Sequence, residues 1–230
     1  MPNTIQTGML TLFTEISCIS IAIFSGILAF RNTDRFFKAL LLQVTVWGVF
    51  YGLSHVITLQ QQAQGLPIDN RWLMNVSMII ETGLLLAAAW FVLPKVYGTP
   101  LTVGAFLLFL GVAALQSWKH GFCTYLNYAD TAACLLNTVV YTAVLYTFGQ
   151  RTDKRLWHSP EKWACLGLLL YYACSVPYLS MMHYLEVNAP EVNTLLYYLI
   201  SNVLANVRYL LLAVAFLMIY RSATKQRHTP

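Results

Sequence analysis

The stretch WLMNVSMIIETGLLLAAAWFVLP, residues 72–94, decides the fold class. A helix needs about 20 consecutive, mostly apolar residues to cross the hydrocarbon core of a bilayer. This stretch supplies them with a single ionisable residue, Glu81, and is bounded by Arg71 and Lys95. Six further stretches read the same way, near 8–30, 39–60, 99–117, 125–149, 163–185 and 192–220. Charged or turn-rich breaks separate them: RNTDRFFK, QQAQGLPIDNR, PKVYGTP, KHGFC, QRTDKRLWHSPEK and EVNAPE. The last helix is expected to begin at Pro190, a good first-turn residue beside acidic Glu191. The pattern predicts an all-α bundle of seven transmembrane helices forming one domain, 1–230, with short links and antiparallel neighbours.

Composition agrees. The 230 residues are 58% hydrophobic and only 10% charged, with a mean hydropathy of +0.58. Soluble domains carry roughly 25% charged residues, so this chain lacks the charge to clothe a water-facing surface. Its net charge of +5 argues for contact with anionic lipid rather than nucleic acid, because the basic residues lie between apolar spans.

Their distribution sets an orientation. One rim carries Arg31, Arg35, Lys38, Lys95, Arg151, Lys154, Arg155, Lys162, Arg221, Lys225 and Arg227, and the other only Arg71 and Lys119. The positive-inside rule then puts the N-terminus outside and the C-terminus in the cytoplasm, as in a multi-pass protein of a bacterial inner membrane. Trp72, Tyr125, Tyr128 and Tyr184 fall near the outer ends of the spans, and Trp90, Tyr146, Trp163 and Tyr220 near the inner ends. Both groups suit interfacial aromatic belts. The first apolar stretch has no basic region before it and no clear cleavage site, so it is read as a retained helix.

Ionisable residues inside a span are costly and usually face the bundle interior or a water-filled cavity. The candidates are Glu15, His55, Glu81, Asp130 and Arg208. By depth the first four fall in the outer half and Arg208 near mid-membrane. Helical spacing puts Thr11, Glu15, Cys18, Ala22 and Ser25 on one face of the first helix. It does the same for Thr45, Gly48, Gly52 and His55 in the second, and for Asp130, Cys134, Asn137 and Tyr141 in the fifth. Ser77 and Glu81 are one turn apart, as are Asn202 and Asn206. Arg208 points roughly 120° or more from the asparagine pair at about 100° per residue, toward a different neighbour. Two readings stand: a polar pocket lined by Glu15, His55, Glu81 and Asp130, or polar and small-residue glue between helices. Gly48 and Gly52 fit the glue reading. Asn137 and the many tyrosines suit packing.

Glu15, His55, Asp130 and His183 are suitable metal-ligand types, but no paired spacing such as HxxxH joins them, and no metal site is assigned. The five cysteines, Cys18, Cys123, Cys134, Cys165 and Cys174, form no CxxC pair. No GxSxG, P-loop or dinucleotide fingerprint is present.

The seventh span contains Asn202-Val203-Leu204-Ala205-Asn206-Val207-Arg208-Tyr209. It resembles the seventh helix of microbial rhodopsins, D-x-x-A-K-V-x-F, whose lysine binds retinal. Glu81-Thr82-Gly83-Leu84-Leu85-Leu86 resembles that family's T-T-P-L-L-L stretch, and Pro177 falls where the family has a proline near its retinal pocket. The resemblance implies a rhodopsin-like bundle with a ligand site between helices near Tyr178, Asn202 and Asn206. It departs where the chemistry matters. A protonated Schiff base needs a lysine amine, and Asn206 holds that place. Ser77 stands at the counter-ion position and Ala88 at the proton-donor position. Covalent retinal is not expected, nor light-driven pumping by the usual route; no other cofactor is assigned.

Three functions follow as expectations. The first is a sensor or receptor-like module that binds a small ligand between helices and works through a signalling partner protein. The second is a transporter or a proton or ion pathway through Glu15, Glu81, Asp130 and Arg208. The third is a membrane-embedded metal-dependent lipid hydrolase. The bilayer is the expected partner in each, and a homo-oligomer stays open.

Overall fold

The computed structural model of the chain describes residues 2–66, 70–151 and 158–227, with side chains described for 12–66, 70–150 and 158–225. Lys154 and Arg155, counted above for orientation, lie outside the described residues, as do the side chains of Thr11, Arg151 and Arg227.

Every described element is helical. The order is α1 (Pro2–Ala29), a 3₁₀ turn (Phe30–Asn32), α2 (Arg35–Ala63), α3 (Arg71–Val92), α4 (Lys95–His120), α5 (Asn127–Arg151) and α6 (Pro160–Asn188). A last long helix follows, made of α7 (Pro190–Tyr198), a π-helical segment (Leu199–Leu204) and α8 (Ala205–Arg227). Seven helices are long and apolar enough to cross a membrane, the last running Pro190–Lys225. That makes the chain compatible with a multi-pass integral membrane protein.

Local chemistry explains the boundaries. Asp34 caps α2, its side chain accepting from the Phe37 N–H at 3.0 Å. Gly65, at φ +66°, ends α2 in a Schellman motif, with Leu66 N bonded to Gln61 O and Gly65 N to Gln62 O. Ser159 caps α6 ahead of Pro160 in the first turn. The last span does begin at Pro190, but it is not the uninterrupted α-helix that its apolar pattern predicts. The π-helical segment holds Asn202, and such widened turns gather at functional sites.

Helices adjacent in sequence pack side by side, and α8 closes against α1, so the spans form a sequential ring. α3 also touches α5 across it. Large apolar side chains such as Phe13, Phe24, Val49, Leu107, Leu108, Leu115 and Val139 point outward, where lipid would solvate them. At the Lys/Arg-rich end the interior is filled by an aromatic layer. Phe36 meets Phe37 (ring centroids 5.1 Å) and Phe148 (5.5 Å), and Phe37 meets Phe216 (5.7 Å), all edge-on. This layer ties α2 to α5 and α8.

Close approach between helices depends on particular glycines. A Cβ on Gly167 of α6 would lie 3.1 Å from Leu211 Cβ and 3.2 Å from the Arg208 carbonyl oxygen of α8. One on Gly48 would meet Ile19 of α1 at 3.0 Å, so Gly48 acts as helix glue. Gly52 does not: no atom lies within 4 Å of the place its Cβ would take.

Candidate functional site: a buried ion pair and its polar surroundings

The centre of the site is Glu81 of α3, two helical turns into the bundle beyond Leu73. Three donors converge on its Oε1: Arg208 Nη1 at 2.9 Å, Tyr172 Oη at 2.8 Å and Gln43 Nε2 at 3.0 Å. These come from α8, α6 and α2, so one carboxylate oxygen joins four helices. Arg208 Nη1 also donates to Tyr172 Oη at 3.0 Å, and Nη2 to Tyr209 Oη at 2.6 Å. The guanidinium lies 4.2 Å from the Tyr171 ring centroid and 4.7 Å from that of Tyr209. It is therefore neutralised by one carboxylate and wrapped in π faces, the arrangement that lets a cation stay out of water. Arg208 is 3% exposed and the Glu81 side chain 13%.

The pairing explains why Arg208 departs from the asparagine face: it addresses α3 and α6. It also puts Glu81 and Arg208 at one level of the bundle. Of the predicted pocket residues, Glu15, Glu81 and Asp130 each have their own hydrogen-bond partners, and none of these bonds joins one carboxylate to another among the described residues.

Glu15, buried on α1, accepts from Tyr51 Oη at 2.6 Å, and the Tyr51 ring stacks edge-on with His55 at 4.6 Å. Glu15 and His55 are thus linked through a tyrosine. Asp130 accepts from Tyr125 Oη through Oδ2 and lies 3.9 Å from the Cys134 thiol through Oδ1. Tyr125 is therefore not a free member of the outer aromatic belt. Burial first, and then the Asp130 carboxylate, push its phenol well above the usual range, so it stays a donor.

The ligand-site candidates of the last two spans divide. Asn202 is half-buried in the π-helical segment. Tyr178 Oη and Asn206 Oδ1 are buried and have no hydrogen-bond partner among the described residues. Both side-chain amide atoms of Asn137, 1% exposed, share that condition. Packing alone does not account for Asn137, because an unpaired buried amide costs stability. His183 is exposed at the end of α6. No group of three or more His, Cys, Asp or Glu side chains that could hold a metal is found among the described residues.

Sequence reasoning missed Gln43, Tyr51, Tyr171, Tyr172 and Tyr209 as members of the site. For the tyrosines the available signal was their number, 14 in 230 residues; Gln43 gave none. It also missed Asn75, whose Nδ2 donates to the Phe122 and Thr124 carbonyls at 2.7 and 2.8 Å and whose Oδ1 accepts from Leu126 N at 3.1 Å. Asn75 clamps the α4–α5 turn onto α3. No protein-family model, curated protein or solved structure matches this chain.

Proposed function

We propose that this protein is a receptor-like membrane sensor that takes a small, weakly polar ligand between α6 and the seventh span. The observation that carries the reading is the pair of buried, unpartnered polar atoms, Tyr178 Oη and Asn206 Oδ1. Buried polar groups are almost always paired, and a ligand that hydrogen-bonds to both would complete them. The resemblance to microbial rhodopsins, with Asn206 at the lysine's place, would put a noncovalent ligand in the same region. The sequential ring of helices supports it. The Glu81–Arg208 pair is then the coupling element, since it touches α8 and α6 as well as α3 and α2. A signalling partner at the Lys/Arg-rich rim, taken as cytoplasmic in a bacterial inner membrane, would receive the change.

The test is a thermal-shift screen of purified protein against small weakly polar compounds. A compound that raises the melting temperature of the wild type, but not of Tyr178→Phe or Asn206→Leu, supports the site. A stabilising compound that acts equally on both variants argues against it.

A second reading, a proton or ion pathway, has its own observation. Among the described residues Glu15 and Asp130 form no ion pair, and each is held by a tyrosine hydroxyl. Against it stands the aromatic layer of Phe36, Phe37, Phe148 and Phe216, which fills the interior between the polar centre and the basic rim. Proteoliposomes carrying a pH dye separate the two readings. The sensor shows no proton flux above that of empty liposomes; flux that disappears in Glu81→Gln selects the pathway.

A further inference from the structure

At the Lys/Arg-rich rim a cavity of about 400 Å³ opens between the start of α2 and the α3–α4 turn. Its lining includes two cations, Arg35 and Lys95, and three aromatic residues, Phe36, Trp90 and Phe91, of which Phe36 is buried. Both cations are exposed, and neither is paired with a carboxylate among the described residues. Asp34 also lines it, but its Oδ1 already accepts from the Phe37 N–H. The free N–H groups of α2 are therefore not what makes this place attractive to an anion. The positive charge comes from the side chains of Arg35 and Lys95, which outnumber the one carboxylate of the lining, Asp34.

Trp90 is 44% exposed and Phe91 43%. The Trp90 indole N–H donates to Thr99 Oγ1 at 3.1 Å, which anchors the ring between α3 and α4. Aromatic side chains at the end of a span sit at headgroup level. The cavity therefore combines unpaired positive charge with apolar surface at the depth where a phospholipid turns from headgroup to acyl chain. Basic pockets between transmembrane helices commonly hold anionic headgroups.

We propose that this cavity binds an anionic phospholipid, with its phosphate between Arg35 and Lys95 and its glycerol and first acyl carbons against Trp90 and Phe91. Arg35 supplies planar, paired donors and Lys95 a point charge. A free phosphate ion would use the two cations and leave the aromatic surface uncovered.

The experiment is native mass spectrometry of the full chain in detergent, titrated with phosphatidylglycerol or phosphatidylcholine. Preferential retention of phosphatidylglycerol is expected, falling about fivefold for each charge removed in Arg35→Gln and Lys95→Gln. The Lys95→Gln variant leaves the capped start of α2 untouched, so its readout is independent of any change in that helix. Lys119→Gln, on the opposite rim, should bind as the wild type does. Three results would overturn the proposal: phosphatidylglycerol retained unchanged in the double variant, an equal loss in Lys119→Gln, or inorganic phosphate binding without lipid with the same dependence on Arg35 and Lys95.

Discussion

Arg208 Nη1 of α8 lies 2.9 Å from Glu81 Oε1 of α3, joining two helices that are far apart in sequence. Neither charge belongs in the middle of a bilayer alone. Removing one partner of a buried pair typically costs about 3–5 kcal/mol, because the other is left uncompensated. Glu81→Leu and Arg208→Leu are each expected to lose that much in reversible unfolding from detergent micelles. The double variant should recover most of the loss, since a matched apolar pair removes both desolvation costs. Equal, additive losses would mean the two residues do not act as a pair.

Gly167 and Gly52 make a contrasting pair. Gly167→Ala pushes a methyl against Leu211 and the Arg208 backbone, with an expected loss of about 1–3 kcal/mol from overpacking. Gly52→Ala meets nothing within 4 Å and should gain about 0.5–1 kcal/mol from reduced backbone freedom. Melting temperatures of the two variants in one detergent compare them directly.

Asn75 satisfies three backbone groups of the α4–α5 turn. Asn75→Leu strands them, at about 1–3 kcal/mol for each group that stays buried. Hydrogen exchange over residues 121–126 should speed up markedly, while exchange at the Lys/Arg-rich end stays unchanged. Uniform acceleration would point to global destabilisation instead.

Cys123 is exposed on the same turn, whereas Cys134 and Cys165 are buried. With the N-terminus outside, a membrane-impermeant maleimide should label Cys123 in intact cells of a Cys174→Ser variant. Cys134 and Cys165 should react only after unfolding. Labelling of Cys123 only after permeabilisation would reverse the orientation.

The seven spans were legible because a bilayer imposes a length and a polarity that no soluble helix needs to meet. The breaks at Asp34, Gly65 and Ser159-Pro160 were legible for a similar reason, since caps and turns are local chemistry. Glu15, Glu81, Asp130 and Arg208 stood out as ionisable residues in apolar runs. What they touch did not. Gln43 and Tyr172 are ordinary members of their helices until the ring closes and brings α2 and α6 to the same carboxylate oxygen. Tyr125 looked interfacial because its position in the chain is interfacial, yet Asp130 lies within reach of its hydroxyl.

By itself, then, the sequence determined the number of long apolar helices and the charge asymmetry between rims, because these follow from composition read along one chain. Only the tertiary structure decided that Arg208 answers Glu81, that Glu15 reaches His55 through Tyr51, and that Tyr178 and Asn206 keep buried polar atoms without partners. Helical periodicity gives each residue a face and a depth. Which face meets which depends on how seven helices pack, where a glycine lets backbones close and where a π-helical segment shifts the register.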